Sequence, residues 1–335
     1  MAMAFSRANR WGWVSLGVLG VTACSGGTGP TDTARTQPVA AAGVAAALTT
    51  NDAQPPALGR VASKLILGDE LLWNGGEPTQ SLTVAVSGLA DDPRYSVVAK
   101  RWPAALPRLG SNPEQVLALQ PEMVLMANFT AEEYRAAVSR HLNILDFGAL
   151  TGFDAYRSSV RKLAEALQQP ALATDLLATF DRELRELEEL RARAAGRDRT
   201  RWPTCMAWQY NNTAGGNTTF HDACEAGGCR NRAAMGGVTG HRRVDVEQMA
   251  AWAPDYIVIN CGEAGCDAAR REFSARPGFR RLPAVLEERI VAIDPPYMST
   301  TGAGMLQLAR RIHDGVYGKL PVKTSGAPQG ADQDG

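Results

Sequence analysis

The chain lacks an excess of charge of either sign: 35 Lys and Arg balance 35 Asp and Glu, for a formal net charge of +0. No run of Lys or Arg is interleaved with aromatic residues, so nucleic acid is not an expected partner. Histidine is scarce, at four, and His141, His221, His241 and His313 form neither an HxH nor an HExxH array. A divalent-metal site on one helix face therefore has no sequence support beyond His221-Asp222 beside Cys224. G-x-S-x-G, a Walker A loop and a G-x-G-x-x-G after a strand are all missing. The glycine-rich stretch Thr213 to Asn217 lacks the lysine that a phosphate loop uses. We expect neither catalysis nor a resident cofactor. A bilayer-spanning run is lacking too, because the apolar stretch Trp11 to Val21 is too short to cross a membrane.

That short stretch has another use. Preceded by Arg7 and Arg10 and ending in Val21-Thr22-Ala23-Cys24, it has the form of a signal peptide over residues 1–23. Its end resembles a bacterial lipobox, which implies cleavage before Cys24 and a lipid on that cysteine. The alternative is an ordinary signal cut after Ala23, with Cys24 left as a thiol. On either reading the mature protein leaves the cytoplasm. Residues 24–58 are rich in Gly, Thr, Ala and Pro, without periodicity, as expected of a tether. Residues 321–335 read as a disordered tail.

Between these ends the chain repeats itself. SNPEQVLALQPEMVLM (111–126) and DVEQMAAWAPDYIVI (245–259) align without a gap at an offset of 133 residues, 247 minus 114. The Glu-Gln pair, Ala118 with Ala251, Pro121 with Pro254 and Glu122 with Asp255 coincide. Each copy predicts a short amphipathic helix stopped by proline and then a buried strand, Met123 to Met126 or Tyr256 to Ile259. A helix feeding an apolar strand is half of a parallel-sheet unit, so two similar lobes are expected. With 335 residues, 45% hydrophobic, the chain is long enough for both.

The expected fold class is α/β: two Rossmann-like lobes joined by a long rigid helix, with the ligand cleft between them. Residues 59–150 form the first lobe, with strands at Ala62 to Leu67, Leu82 to Ser87, Met123 to Met126 and Ile144 to Phe147. Residues 151–197 bridge. There, Leu177, Phe180, Leu184, Leu187 and Leu190 recur at helical spacing from Thr174 to Ala195, with Thr174 as N-cap and Gly196 as the stop. Residues 198–320 form the second lobe, with strands at Thr204 to Gln209, Tyr256 to Asn260 and Arg289 to Ile293 and a closing helix from Ala303 to His313.

In such sheets ligands bind beyond the carboxyl ends of the strands. The candidate ligand-binding residues are Asp69, Tyr95 and Asn128 in the first lobe and Tyr210, Asn211, Tyr297 and Met298 in the second. The three tyrosines join an apolar face to a hydroxyl, which suits a large planar or macrocyclic ligand. For any one tyrosine, packing is the stronger explanation; three at predicted strand ends carry more weight than one.

Cysteine is the unusual component. In an exported chain, Cys224, Cys229, Cys261 and Cys266 are candidates for two disulfides, either local (224 with 229, 261 with 266) or crossed, leaving Cys205 as a buried thiol. A zinc site made from the four is the competing reading, although their spacing matches no usual zinc pattern.

Taken together, LPRLGSNPEQVLALQPEMVLM (106–126), TAGGNTTFHDACEAGGCRNRAA (213–234), VDVEQMAAWAPDYIVI (244–259) and PGFRRLPAVLEERIVAID (277–294) resemble the helical-backbone (class III) substrate-binding proteins of ABC importers. This family takes up cobalamin, siderophores and haem, and the resemblance runs from Arg60 to Leu320. It implies a monomer in the periplasm, lipid-anchored to the membrane, that hands a small molecule to an ABC permease dimer. It also implies that one acidic residue per lobe docks on permease arginines; the matching positions are Glu114 and Glu247. The competing reading makes Ser111 to Glu114 a capping box and Glu247 a first-turn carboxylate that favours the helix dipole. Tyr95 lies where some family members carry a haem-ligating tyrosine, in a different local sequence. Alternative functions are a zinc-type metal-ion binder using the Cys and His of the second lobe, or a metallocofactor-binding enzyme subunit, which the export signal disfavours.

Overall fold

The duplicated stretches fold as duplicates down to their backbone angles. In the computed structural model, which describes residues 59–318, the helices Glu114–Leu119 and Val246–Trp252 each end on a left-handed residue, Gln120 at φ 47° and Ala253 at φ 44°. A residue before proline is disfavoured in the right-handed region, and Pro121 and Pro254 follow immediately. The chain turns there and enters a strand. The acidic residue after each proline then clips the start of the neighbouring strand. Glu122 Oε2 accepts from the Gly59 amide at 3.0 Å, and Asp255 Oδ2 accepts from the Thr204 amide and hydroxyl, both at 2.7 Å.

The sheets repeat the same plan. Lobe one holds β1 (Val61–Ser63), β2 (Thr83–Ser87), β3 (Arg108–Leu109), β4 (Met123–Met126) and β5 (Asn143–Asp146), all parallel, in the order β3-β2-β1-β4-β5. Lobe two holds β6 (Thr204–Trp208), β7 (Asn212–Ala214), β8 (Arg230–Asn231), β9 (His241–Arg243), β10 (Tyr256–Asn260) and β11 (Ile290–Ile293). Its parallel sheet runs β11-β10-β6-β8, and β7 pairs antiparallel with β9. With β4 placed on β10, the order β2-β1-β4-β5 falls on β8-β6-β10-β11. Every residue of β4 and β6 is buried, the mark of a parallel strand covered on both faces.

The bridge differs from expectation in two ways. Its long helix is Pro170–Ala194, 25 residues or roughly 37 Å. It starts at Pro170, a residue suited to the first helical position, so Thr174 lies inside it and donates back to the Pro170 carbonyl. Gly196 does sit past the end, at φ +71°. The helix is also not alone. Leu172 and Phe180 enter the lobe-one core and Leu187 the lobe-two core, while the closing helix Gly304–Tyr317 gives Met305 and Leu306 to the first core and Leu308, Ala309 and Ile312 to the second. Two helices therefore straddle the lobes. Helix Phe153–Ala166 packs on the bridge through Tyr156 and Phe180, whose rings are 4.8 Å apart.

The first strand is shorter than expected. The Ser63 hydroxyl bonds the Leu65 carbonyl at 2.8 Å and turns the chain, and helix Ile66–Asn74 begins where the strand was expected to continue. Gly68 lies so close that a Cβ there would meet Ser63 Oγ at 2.5 Å. Among the described residues no helix is long and apolar enough to cross a membrane. The signal stretch, Cys24, the tether and the tail lie outside the described residues.

Candidate functional site

Parallel strands place all their carboxyl ends on one edge of each sheet, and six of the seven candidate ligand residues lie in loops or a short helix beyond those ends. After β2, Tyr95 is 39% exposed. Its neighbour Arg94 stacks over its ring and pairs with Asp92 at 2.7 Å. Arg108 grips the same loop through Asp91 at 2.8 Å and holds the Asp91 carboxyl below the usual range. After β4, Asn128 is exposed beside Phe129, itself 67% exposed, and the Asn128 amide bonds Gly148. After β6, Tyr210 is 83% exposed and both Tyr210 and Asn211 adopt positive φ, 50° and 62°. A bulky residue with positive φ is an outlier, and here it turns an aromatic ring outward. Tyr297 and Met298 lie in the short helix Pro295–Ser299 after β11, half-buried against the lobe-two core.

Asp69 does not belong with these residues. It is fully buried one turn into helix Ile66–Asn74, where it accepts from the Ser87 amide at 3.0 Å and the Ser87 hydroxyl at 2.5 Å. It ties that helix to the end of β2 and is closed to a ligand. Burial pushes its carboxyl up to about 7 despite those hydrogen bonds. Its neighbour Glu70 escaped the sequence reading altogether. Both Glu70 oxygens are buried without a hydrogen-bond partner, against Gly302 at the start of the closing helix, where a Cβ would have no room. Burial, and then the Asp69 charge, push Glu70 up to about 8. Two adjacent acids in the apolar run LILGDELLWN were the visible signal.

Arg94 is held in its charged form first by its hydrogen bonds to Asp92 and, more weakly, by Glu263 in the second lobe. Glu263 sits in the loop after β10, closed by a disulfide between Cys261 and Cys266. Beside the disulfide, Asp294 and Arg311, which the sequence did not single out, form a cluster with Tyr297. Arg311 lies 3.9 Å over the Tyr297 ring and 3.6 Å from Asp294.

The remaining cysteines depart from expectation. Cys224 and Cys229 are free, buried thiols packed with Cys205 in the lobe-two core. Cys224 faces inward from helix Thr219–Ala226, and burial pushes the Cys205 and Cys224 thiols up. Nor do the four candidates gather into one zinc site. Cys205, their companion, pairs with Tyr256 at the start of β10, whereas Cys261 follows its end, roughly 16 Å away at 3.3 Å per residue.

Glu114 and Glu247 occupy matching first turns and are exposed. No capping box forms at the first: Asn112, not Ser111, accepts from the Glu114 amide, at 3.0 Å. At the second, Asp245 caps by accepting from Gln248 at 2.8 Å. Among the described residues neither glutamate carboxylate is in a salt bridge or hydrogen bond.

Solved structures share this architecture. A periplasmic haem-binding protein from Pseudomonas aeruginosa is similar at 21% identity, with a TM-score of 0.64, over 78% of this chain and 93% of that one. The apo haem-binding protein of Roseiflexus sp. RS-1 matches at 21% identity and 0.62, over 77% and 99%. An ABC-type Fe3+-hydroxamate transport protein of Saccharomonospora viridis matches at 18% and 0.61, over 77% and 93%. Identities this low speak for the fold. No curated protein is similar enough in sequence to match. A family model for periplasmic binding proteins covers residues 75–297, more than half of the chain, and to that family this protein belongs.

Proposed function

We propose that this protein captures an iron-siderophore, haem or cobalamin-like ligand between its lobes and delivers it to a two-fold ABC permease, held at the membrane by a lipid on Cys24. The observation that carries the reading is the matched pair Glu114 and Glu247, one exposed carboxylate in the same turn of each duplicated helix and neither paired with another side chain among the described residues. A two-fold partner needs the same charge presented twice. The exposed rings of Tyr95, Phe129 and Tyr210 beyond the strand ends support a large, flat or macrocyclic ligand over a small ion. Asn128, Asn211, Tyr297 and Met298 complete the proposed contact set, and Asp69 is removed from it. Similar proteins are described as binding haem or serving hydroxamate transport, which supports the same ligand class.

Titrating the protein with ferric hydroxamates, haem and cobalamin, followed by tryptophan fluorescence and thermal shift, tests the reading. One of these classes should quench fluorescence and raise the melting temperature. No response to any of them overturns the ligand assignment.

A further inference from the structure

Beyond the cleft's organic ligand, the loop after β10 combines features that a purely structural crosslink does not need. Cys261 and Cys266 close a short loop that is already closed by the backbone, since the Gly265 amide bonds the Gly262 carbonyl at 2.9 Å. A crosslink over so few residues removes little chain entropy compared with one over a long loop. The bond also lies at the carboxyl edge of the sheet, where function in this fold is placed, and not in the core. Cys266 is half-buried and opens the ten-residue helix Cys266–Ala275, a position that favours a thiolate.

A third donor stands beside the two sulfurs. Cys266 Sγ is 3.9 Å from Asp294 Oδ1, and the two sulfurs and an Asp294 oxygen all lie within 4.8 Å of one another. The carboxylate is divided between two neighbours: Oδ1 faces the sulfur, and Oδ2 faces Arg311 Nε at 3.6 Å. Arg311 is itself stacked on Tyr297, so one oxygen is fixed from behind while the other points at the cysteines. Gly262 and Gly265, the latter at φ +90°, lie within the loop between the two cysteines, each with open space beside it.

We propose that Cys261, Cys266 and Asp294 form a redox-gated site for a zinc-class divalent cation. A dithiol reductant passes two electrons and two protons to the disulfide, leaving two thiols here and a disulfide in the reductant. The cation then displaces both thiol protons to solvent and binds two thiolates and the Asp294 carboxylate, with a fourth position open. Such a sulfur-and-oxygen donor set suits zinc, whose sites of three protein ligands keep one open position. In the oxidised state neither sulfur is a thiolate and the site is closed.

The test is zinc competition against a chromophoric chelator, using full-length protein before and after reduction by a phosphine, with cadmium as a spectroscopic probe. The reduced protein should take up a zinc ion that the oxidised protein does not, and should give a cadmium–thiolate charge-transfer band. A Cys261→Ser/Cys266→Ser variant should lose both, and Asp294→Asn should weaken zinc by about tenfold or more. Zinc should raise the melting temperature of the reduced protein and leave that of the double variant unchanged. Equal uptake by the double variant would assign the metal to the buried thiols or to Cys24 and overturn the proposal. So would unchanged affinity in Asp294→Asn, or no uptake after reduction. None of these readouts depends on the organic ligand, so failure here and failure of the proposed transport function are distinguishable.

Discussion

The two cleft rims are held by opposite chemistry. In lobe one the loop after β2 is fixed by ion pairs, Asp92 with Arg94 and Asp91 with Arg108, at or near the surface. In lobe two the loop after β10 is fixed by a covalent bond, Cys261 to Cys266. The interiors diverge in the same way: lobe one buries two carboxyls, Asp69 and Glu70, and lobe two buries three thiols. Duplication preserved the backbone plan, strand order and left-handed helix ends included, while the side chains that tune each lobe were free to change. Lobe one is therefore expected to respond to proton concentration and salt, and lobe two to redox state.

Charge reversal at the duplicated glutamates tests whether the lobes still act as a pair. Glu114→Lys with Glu247→Lys should abolish ligand uptake by cells while leaving the dissociation constant of the purified protein unchanged. A fall in ligand affinity would make the residues structural.

The next largest effect separates the interiors. Glu70 titrates at about 8 in the folded protein against an ordinary 4.5, so the folded chain keeps a proton that the unfolded chain releases. Its contribution is undiminished below about pH 4.5, and stability is lost as pH rises from there towards 8. Asp69, pushed up to about 7, acts in the same direction. Glu70→Gln should flatten the fall in melting temperature across this window. It should also stabilise the protein at pH 8 by a few kcal/mol, because each tenfold change in proton affinity between the folded and unfolded chain is worth about 1.4 kcal/mol. A variant with the original pH slope would show that the carboxyl is solvated.

The smallest effect compares the two strand clips. Asp255 makes three hydrogen bonds with Thr204: two accepted by its carboxylate, and one donated from its own amide to the Thr204 hydroxyl at 2.9 Å. Glu122 makes a single bond to the exposed Gly59 amide. Chemical denaturation should find Asp255→Ala destabilised by about 2 kcal/mol and Glu122→Ala by about 0.5 kcal/mol, because water replaces an exposed partner and not a buried one such as Thr204. Equal losses would mean that the clips are equivalent.

Much of this was legible locally. Pro121 and Pro254 announce the end of a helix because the ring forbids its continuation, and MVLM announces a buried strand because nothing polar interrupts it. Tyr95, Asn128, Tyr210, Asn211, Tyr297 and Met298 could be placed at strand ends by counting from those strands. Asp69 was misplaced because its own hydrogen bonds run to Ser87, 18 positions away, and sequence spacing says nothing of that partner. Cys224 and Cys229 were misread for a related reason. Their spacing allows a bond, but the helix turns Cys224 towards the β6 core with Cys205.

By itself the sequence determined the duplicated helix–strand unit, the amphipathic bridge and the two exposed glutamates, since these follow from steric rules and periodicity acting within a few residues. Only the tertiary structure decided which acids are sealed in the core, which cysteines meet, and that Asp294 stands beside Cys266. Those pairings join residues far apart in the chain, and it is folding, not sequence distance, that sets their separation and their solvent exposure.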